Sequence, residues 1–165
     1  MNNDYLKHQL SSLCSEFALF CLKSNLKLVT AESCTAGLMS GYLTDLPGSS
    51  AYIEGGFVTY SNEMKAAILG VKQESLEKFG AISEPVALEM VIGALRKAPM
   101  ANIAVAVTGF AGPDPSGNSN IGLVWIALQK DKQQATAHQY HFSGNRDEIR
   151  LKTIIQAIKL MLCLF

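Results

Sequence analysis

Apolar positions recur along this chain with two periods, and the switches between them divide it into elements. From Asp4 to Ser24 the residues Leu6, Leu10, Leu13, Phe17 and Phe20 fall at steps of four and three, which predicts an amphipathic helix. Leu26 to Ala31 reads as the first strand, and Thr35 to Asp45, with Leu38, Tyr42 and Leu46 along one side, as a helix broken by Leu46-Pro47-Gly48-Ser49-Ser50. Ala51 to Tyr60 predicts a second extended run, in which Gly55-Gly56 marks a bulge or a close backbone approach. A helix capped by Ser61 or Asn62 follows to Leu69 and stops at Gly70; another spans Gln73 to Phe79 before Gly80. Ser83-Glu84-Pro85 starts a helix that runs to Lys97, with Ser83 as its cap.

Asn102 to Thr108, a run of Ile, Ala and Val, predicts a central strand buried on both faces. Gly109 to Asn118 is a turn-rich loop of the long kind that usually carries function. Gly122–Gln129 and Ala135–Phe142 predict a hairpin joined by polar residues, and Asn145 to Leu162 a closing helix. This alternation of helices and strands, with an antiparallel pair at the end, predicts one three-layer α/β/α domain over residues 1–165 with a mixed β-sheet.

Composition narrows the function classes. With 48% hydrophobic and 17% charged residues, the chain is expected to be globular and soluble. Fourteen basic residues balance fourteen acidic ones and no basic run occurs, which argues against nucleic-acid and anionic-membrane partners. Cys14, Cys21, Cys34 and Cys163 show no CxxC spacing and are expected to be buried thiols in a reducing, cytoplasmic setting. The chain contains neither a P-loop nor a dinucleotide fingerprint.

Candidate chemistry gathers where Leu28 to Glu32 runs into Ser33-Cys34-Thr35-Ala36-Gly37. A serine there sits at the carboxyl end of a strand beside unpaired helix N–H groups, which suits a nucleophile with an oxyanion hole, although a serine at a helix start is more often a plain cap. Cys34 is the rival nucleophile, since a helix N-terminus favours thiolate. The histidines offer no convincing base: His8 lies on the first helix, and His138 and His141 fall on opposite faces of one strand. No third ligand accompanies them, so no metal site is expected.

Lys65 is the better base. The positive end of its helix depresses its pKa by an amount worth about 0.3–1 kcal/mol, less than one pKa unit, whereas work near neutral pH needs about two or three, so burial must supply most of it. Tyr60 stands just before that helix, where it could orient a ligand or the amine, or cap the strand. Glu32, Asp45 and Glu84 sit near element ends, and spacing assigns them no role.

The runs Ala31-Glu32-Ser33-Cys34-Thr35-Ala36-Gly37, Gly48-Ser49-Ser50 and Gly56 to Lys65 resemble the CinA C-terminal domain family, whose stand-alone members include nicotinamide-nucleotide amidases. Gly80 to Val86, Val107 to Pro113, Gly122 to Trp125 and Phe142 to Arg146 extend the resemblance in the family's order over nearly the whole chain. It implies hydrolysis of the carboxamide of nicotinamide mononucleotide to nicotinic acid mononucleotide and ammonia, in pyridine-nucleotide recycling. It further implies a Ser/Lys dyad at Ser33 and Lys65, with Tyr60 in the pocket and no cofactor.

By the same carry-over Cys34, Thr35, Ala36, Gly48, Ser49, Ser50, Thr108, Gly109, Ala111, Gly112 and Arg146 bind substrate, Arg146 facing an anionic group. A homodimer is the expected assembly. Two departures stand out. Ala36 replaces the first glycine of the family's usual Gly-Gly, and its methyl is expected to crowd the oxyanion hole; the loop tip Asp114 to Ile121 also differs. The rival reading is a catalytically idle ligand-binding or protein-interaction module linked to competence.

Overall fold

The computed structural model describes residues 3–113 and 120–164. Five strands form one sheet in the order β2-β1-β3-β4-β5, where β1 is Leu28–Glu32, β2 Ile53–Val58, β3 Ile103–Gly109, β4 Leu123–Lys130 and β5 Thr136–His141. β1 runs parallel to both β2 and β3, while β3, β4 and β5 are antiparallel neighbours, so the sheet is mixed as expected. The expected central strand is β3, with Ile103 to Thr108 all buried.

Alternation along the strands separates two cores. Leu28, Ile103, Val105, Val107, Val124, Ile126 and Leu128 face α1 (Asn3–Ser24), α2 (Leu38–Thr44) and the last helix, Arg146–Leu164. On the other face the small residues Ala31, Ala104, Ala106 and Ala127 receive α4 (Gln73–Phe79) and α5 (Glu84–Lys97). The last helix is α6, and the result is the three-layer α/β/α arrangement. No described helix is long and apolar enough to cross a membrane.

Local departures from the expected elements have physical causes. α2 starts at Leu38 rather than Thr35, because Ala36 and Gly37 take left-handed φ values of 52° and 90° and make a turn first. The bulge in β2 falls at Glu54, since Leu28 pairs with Ile53 and Val29 with Gly55. The close approach is at Gly56, where a Cβ would meet Ser40 Oγ at 2.3 Å and Thr30 Oγ1 at 2.5 Å.

The helix capped by Ser61 is α-helical only over α3 (Asn62–Met64), where Ser61 Oγ accepts from Met64 N–H. Lys65–Leu69 then widens into a π-helical turn ended by left-handed Gly70. Ser83 stands at the start of α5, but its hydroxyl donates to the Gly80 carbonyl at 2.8 Å instead of capping. Cys14, Cys21 and Cys34 are buried as expected; Cys163, on the last turn of α6, is exposed.

Gly93 on α5 sets how closely the π turn can lie, since a Cβ there would come 1.9 Å from the Leu69 carbonyl oxygen. That atom is backbone and cannot rotate away. The helix-propensity gain of Gly93→Ala, about 1 kcal/mol, is therefore outweighed by overpacking at or above the upper end of about 1–3 kcal/mol, and denaturant unfolding should show a net loss. Ala36→Gly should act oppositely. Relief of a left-handed alanine, about 1–2 kcal/mol, exceeds the added unfolded-chain entropy of about 0.4–1 kcal/mol, so the same measurement should show a gain of up to about 1 kcal/mol.

Candidate active site

Ser33 is held at the carboxyl end of β1 by a buried carboxylate that spacing left without a role. Glu32, the last residue of β1, is 1% exposed. Its Oε2 accepts from Thr35 Oγ1 and the N–H groups of Gly37 and Met39, and its Oε1 from the N–H and hydroxyl of Ser40, all at 2.7–3.0 Å. Thr30 Oγ1, 2.6 Å from Ser40 Oγ and 3.3 Å from Glu32 Oε1, has one proton and gives it to the nearer oxygen. The carboxylate thus satisfies donors at the start of α2 and holds the turn against the end of β1.

Lys65 approaches Ser33 from the other side. Its residue is 1% exposed, and its Nζ lies 3.0 Å from Ser33 Oγ, 3.1 Å from the Thr59 carbonyl oxygen and 3.0 Å from that of Tyr60. Among the described residues no carboxylate pairs with it. Burial pushes its pKa down. A neutral amine has two N–H groups and one lone pair; the two carbonyls can only accept, so they take the protons and leave the lone pair for the Ser33 hydroxyl.

Ser33, Cys34, Tyr60, Lys65, Thr108, Gly109, Ala111, Gly112 and Arg146 line one cavity of about 370 Å³. That volume lies within the range of about 300–1,000 Å³ usual for small-molecule sites. Asn62, Ala81, Ile82, Phe110, Pro113 and Ile121 complete the wall, and all but Ile121 lie within the runs that carry the family resemblance. Thr108 Oγ1 donates to the Ala81 carbonyl at 2.8 Å and ties the end of β3 to the segment before α5. At Gly109 a Cβ would meet Leu123 O at 2.7 Å, so only glycine lets β4 lie this close. Arg146 is exposed at the rim, where Nη1 donates to Gly112 O at 2.7 Å.

Other expected site residues lie elsewhere. Gly48 belongs to a second depression with Ser15, Leu19, Leu22 and Tyr52, and Ser49 and Ser50 form the adjoining turn, all outside the cavity. Thr35 is buried beneath the turn as a donor to Glu32. Ala36 is exposed and does not line the cavity, so its methyl does not crowd an oxyanion; the departure from glycine acts on the backbone instead. Its N–H donates to Ser33 O, and that of Ser33 to Val107 O; the N–H of Cys34 lies against its own thiol, and that of the buried Thr35 has no acceptor among the described residues.

Cys34 is not a poised thiolate, because burial pushes its thiol up to about 12. Tyr60 orients the lysine through its main-chain carbonyl, while the residue itself is 62% exposed at the mouth. His138 and His141 sit on β5, opposite Ile126 and Leu123, and neither lines the cavity. Most of the unusual loop tip, residues 114–119, lies outside the described residues. Arg150 was not foreseen: from α6 it donates to the carbonyls of both Cys34 and Thr35.

Known proteins are similar to this chain in sequence and in fold. The chain is 46% identical over 133 residues to nicotinamide-nucleotide amidohydrolase PncC of Escherichia coli K12, covering 80% of each. It is 40% identical over 158 residues to a CinA-like protein of Thermotoga neapolitana, covering 94% of this chain and 38% of that longer one. The crystal structure of competence/damage inducible protein CihA from Agrobacterium tumefaciens superposes with a TM-score of 0.90 at 40% identity, covering 94% and 95% of the two chains. A CinA superfamily protein from Escherichia coli does so with a TM-score of 0.88 at 33% identity, over 94% and 90%. The sequence model of the CinA C-terminal domain matches residues 10–165, and the chain belongs to that family.

Proposed function

We propose that this chain is a serine amidohydrolase that converts nicotinamide mononucleotide to nicotinic acid mononucleotide and ammonia, with Ser33 as nucleophile and Lys65 as base. The observation that carries the chemistry is the buried Lys65 amine 3.0 Å from Ser33 Oγ, with two main-chain carbonyls at 3.0 and 3.1 Å and no carboxylate paired with it among the described residues. The substrate follows from the relatives, above all the 46% identity to a nicotinamide-nucleotide amidohydrolase.

Neutral Lys65 takes the hydroxyl proton as Ser33 Oγ bonds to the carboxamide carbon, and the carbonyl oxygen becomes the oxyanion of a tetrahedral intermediate. Main-chain N–H groups of the turn at Cys34 are the donors for that charge. Collapse breaks the C–N bond, and the Lys65 ammonium gives its proton to the departing ammonia. Water, deprotonated by the restored amine, then attacks the acyl-serine and frees the carboxylate, returning a proton to Ser33. Arg146, a cation on the cavity's rim, would suit an anionic group of the substrate. This scheme uses protein groups alone.

Purified protein should release ammonia from nicotinamide mononucleotide, Ser33→Ala should abolish turnover, and Cys34→Ala should keep most of it. Both exchanges are small enough to leave the fold intact. A dead cysteine variant beside an active serine variant would reverse the assignment.

Because the active form of Lys65 is neutral and burial lowers its pKa, the rate should climb as pH rises through that lowered value. Lys65→Arg, which holds its proton at any ordinary pH, should bind substrate and lose about 10²–10⁴-fold in turnover. An arginine variant within roughly tenfold of wild type would reduce Lys65 to an electrostatic anchor. Stability gives an independent check. The unfolded chain binds the Lys65 proton more tightly than the folded one, so unfolding free energy should rise with pH between the lowered pKa and the ordinary 10.5. Lys65→Met should lack that component of the slope in urea titrations run across the interval.

A further inference from the structure

Among the described residues that line the cavity there is no carboxylate, and the basic ones are Lys65 inside and Arg146 at the rim. The proposed substrate brings a positive charge into that space, because its carboxamide is carried by a pyridinium ring. The ring cannot stay far from the base. Lys65 Nζ lies 3.0 Å from Ser33 Oγ, and attack requires that oxygen to come within about 3–3.5 Å of the carboxamide carbon, which is bonded to the ring. The amine and the delocalised ring charge are then about 6–8 Å apart.

The titratable and charged groups around Lys65 leave its ammonium without an ion pair among the described residues. Cys34 on the facing turn keeps its proton, its thiol being pushed up to about 12. Glu63, on the lysine's own segment, is exposed to solvent, as is Tyr60 at the mouth. Glu32 at the end of β1 is bonded to the turn and to α2, and Arg150 of α6 to the carbonyls of that turn. On α5, Arg96 reaches only the far end of the π turn at Leu69, while Glu89 is bonded to Lys72 and Ser75.

We infer that the site takes a cationic pyridinium amide, and that the ring's positive charge expels the proton of Lys65 as the substrate binds, so that the substrate itself readies the base. The inference rests on the function proposed above. The proton passes to solvent, and no bond to carbon forms or breaks in this step. At an effective dielectric constant of about 20, a bound pyridinium at that separation disfavours the ammonium form by about 10- to 100-fold. Tyr60 and Phe110 both line the cavity and are exposed, which offers a flat cation an aromatic surface that needs no anion. A carboxylate in the same space would attract the ring but would also hold Lys65 as its ammonium.

Two readouts separate this from a base that burial alone has neutralised. In wild type, kcat reports the base in the substrate complex and kcat/KM the base in the free enzyme, so the rise of kcat should lie at lower pH than that of kcat/KM. Equilibrium binding gives the second readout. It is measured on Ser33→Ala, which should not turn over, with nicotinamide mononucleotide and with its reduced form, whose dihydropyridine ring keeps the carboxamide, ribose and phosphate but not the charge. Calorimetry between about pH 7 and 10, in buffers of differing ionisation enthalpy, yields affinity and proton release together.

Affinity for the cation relative to the reduced form should climb about 10- to 100-fold as pH rises through the Lys65 titration, with more proton release for the cation. Lys65→Met in the same protein should fix that ratio at its high-pH value, and Lys65→Arg at its low-pH value. Should one of these variants not fold, the other decides. A ratio that does not move with pH, or that still moves once Lys65 is replaced, overturns the inference. Ammonia release by wild type beside an unmoving ratio overturns it and leaves the proposed hydrolysis standing. Proton-linked binding of the cation without ammonia release by wild type supports it and sinks the hydrolysis. Binding of neither form, with no ammonia released, removes both.

Discussion

The Glu32 carboxylate is the constraint on which the site depends. A buried negative charge with no cationic partner would be costly, yet here it is met by hydroxyls and main-chain N–H groups from the start of α2, where the helix dipole favours an anion. Those bonds bend the chain back immediately after β1 through the left-handed pair Ala36 and Gly37. Ser33 follows Glu32 directly, so the bend that satisfies the carboxylate also presents the hydroxyl to the cavity.

The second buried ionisable group, Lys65, is solvated in the opposite manner. It has two carbonyls and a serine around it, and among the described residues no carboxylate forms an ion pair with it, so burial favours the neutral amine. The amine's position depends on the π turn, whose far end at Leu69 rests against Gly93 of α5. Packing on one face of the sheet thereby sets a distance at the carboxyl end of β1. The alanines of β3 and β4 belong to the same logic, since small side chains let α5 lie close.

Neither charged anchor is paired with the other. Glu32 points toward the α1, α2 and α6 side, where it receives α2, while Lys65 enters from the segment that follows β2, and Ser33 stands between them. A salt bridge would have kept the lysine protonated and useless as a base. Separate hydrogen bonding by hydroxyls and peptide groups satisfies the carboxylate and favours the neutral form of the amine beside the same turn.

Periodicity along the chain already determined the helices, the five strands and the buried character of β3, because those features depend on local spacing and on which faces must leave water. Gly56 was legible as a close approach for the same reason, and the serine at the end of β1 as a candidate nucleophile. Lys65 was visible only as a helix lysine awaiting burial, and the family resemblance rather than its spacing marked it out. Glu32 and Arg150 carried no signal at all, since a carboxylate at a strand end or an arginine on a polar-faced helix has the same local pattern whether solvated or clamped. Ala36 was expected to act through its methyl, and its effect lies in its φ. Gly48, Ser49 and Ser50 were grouped with the site by motif but fold beside Tyr52 instead. These outcomes belong to tertiary structure, because burial and contacts such as Lys65 with Ser33 or Arg150 with Cys34 are set by segments well separated along the chain.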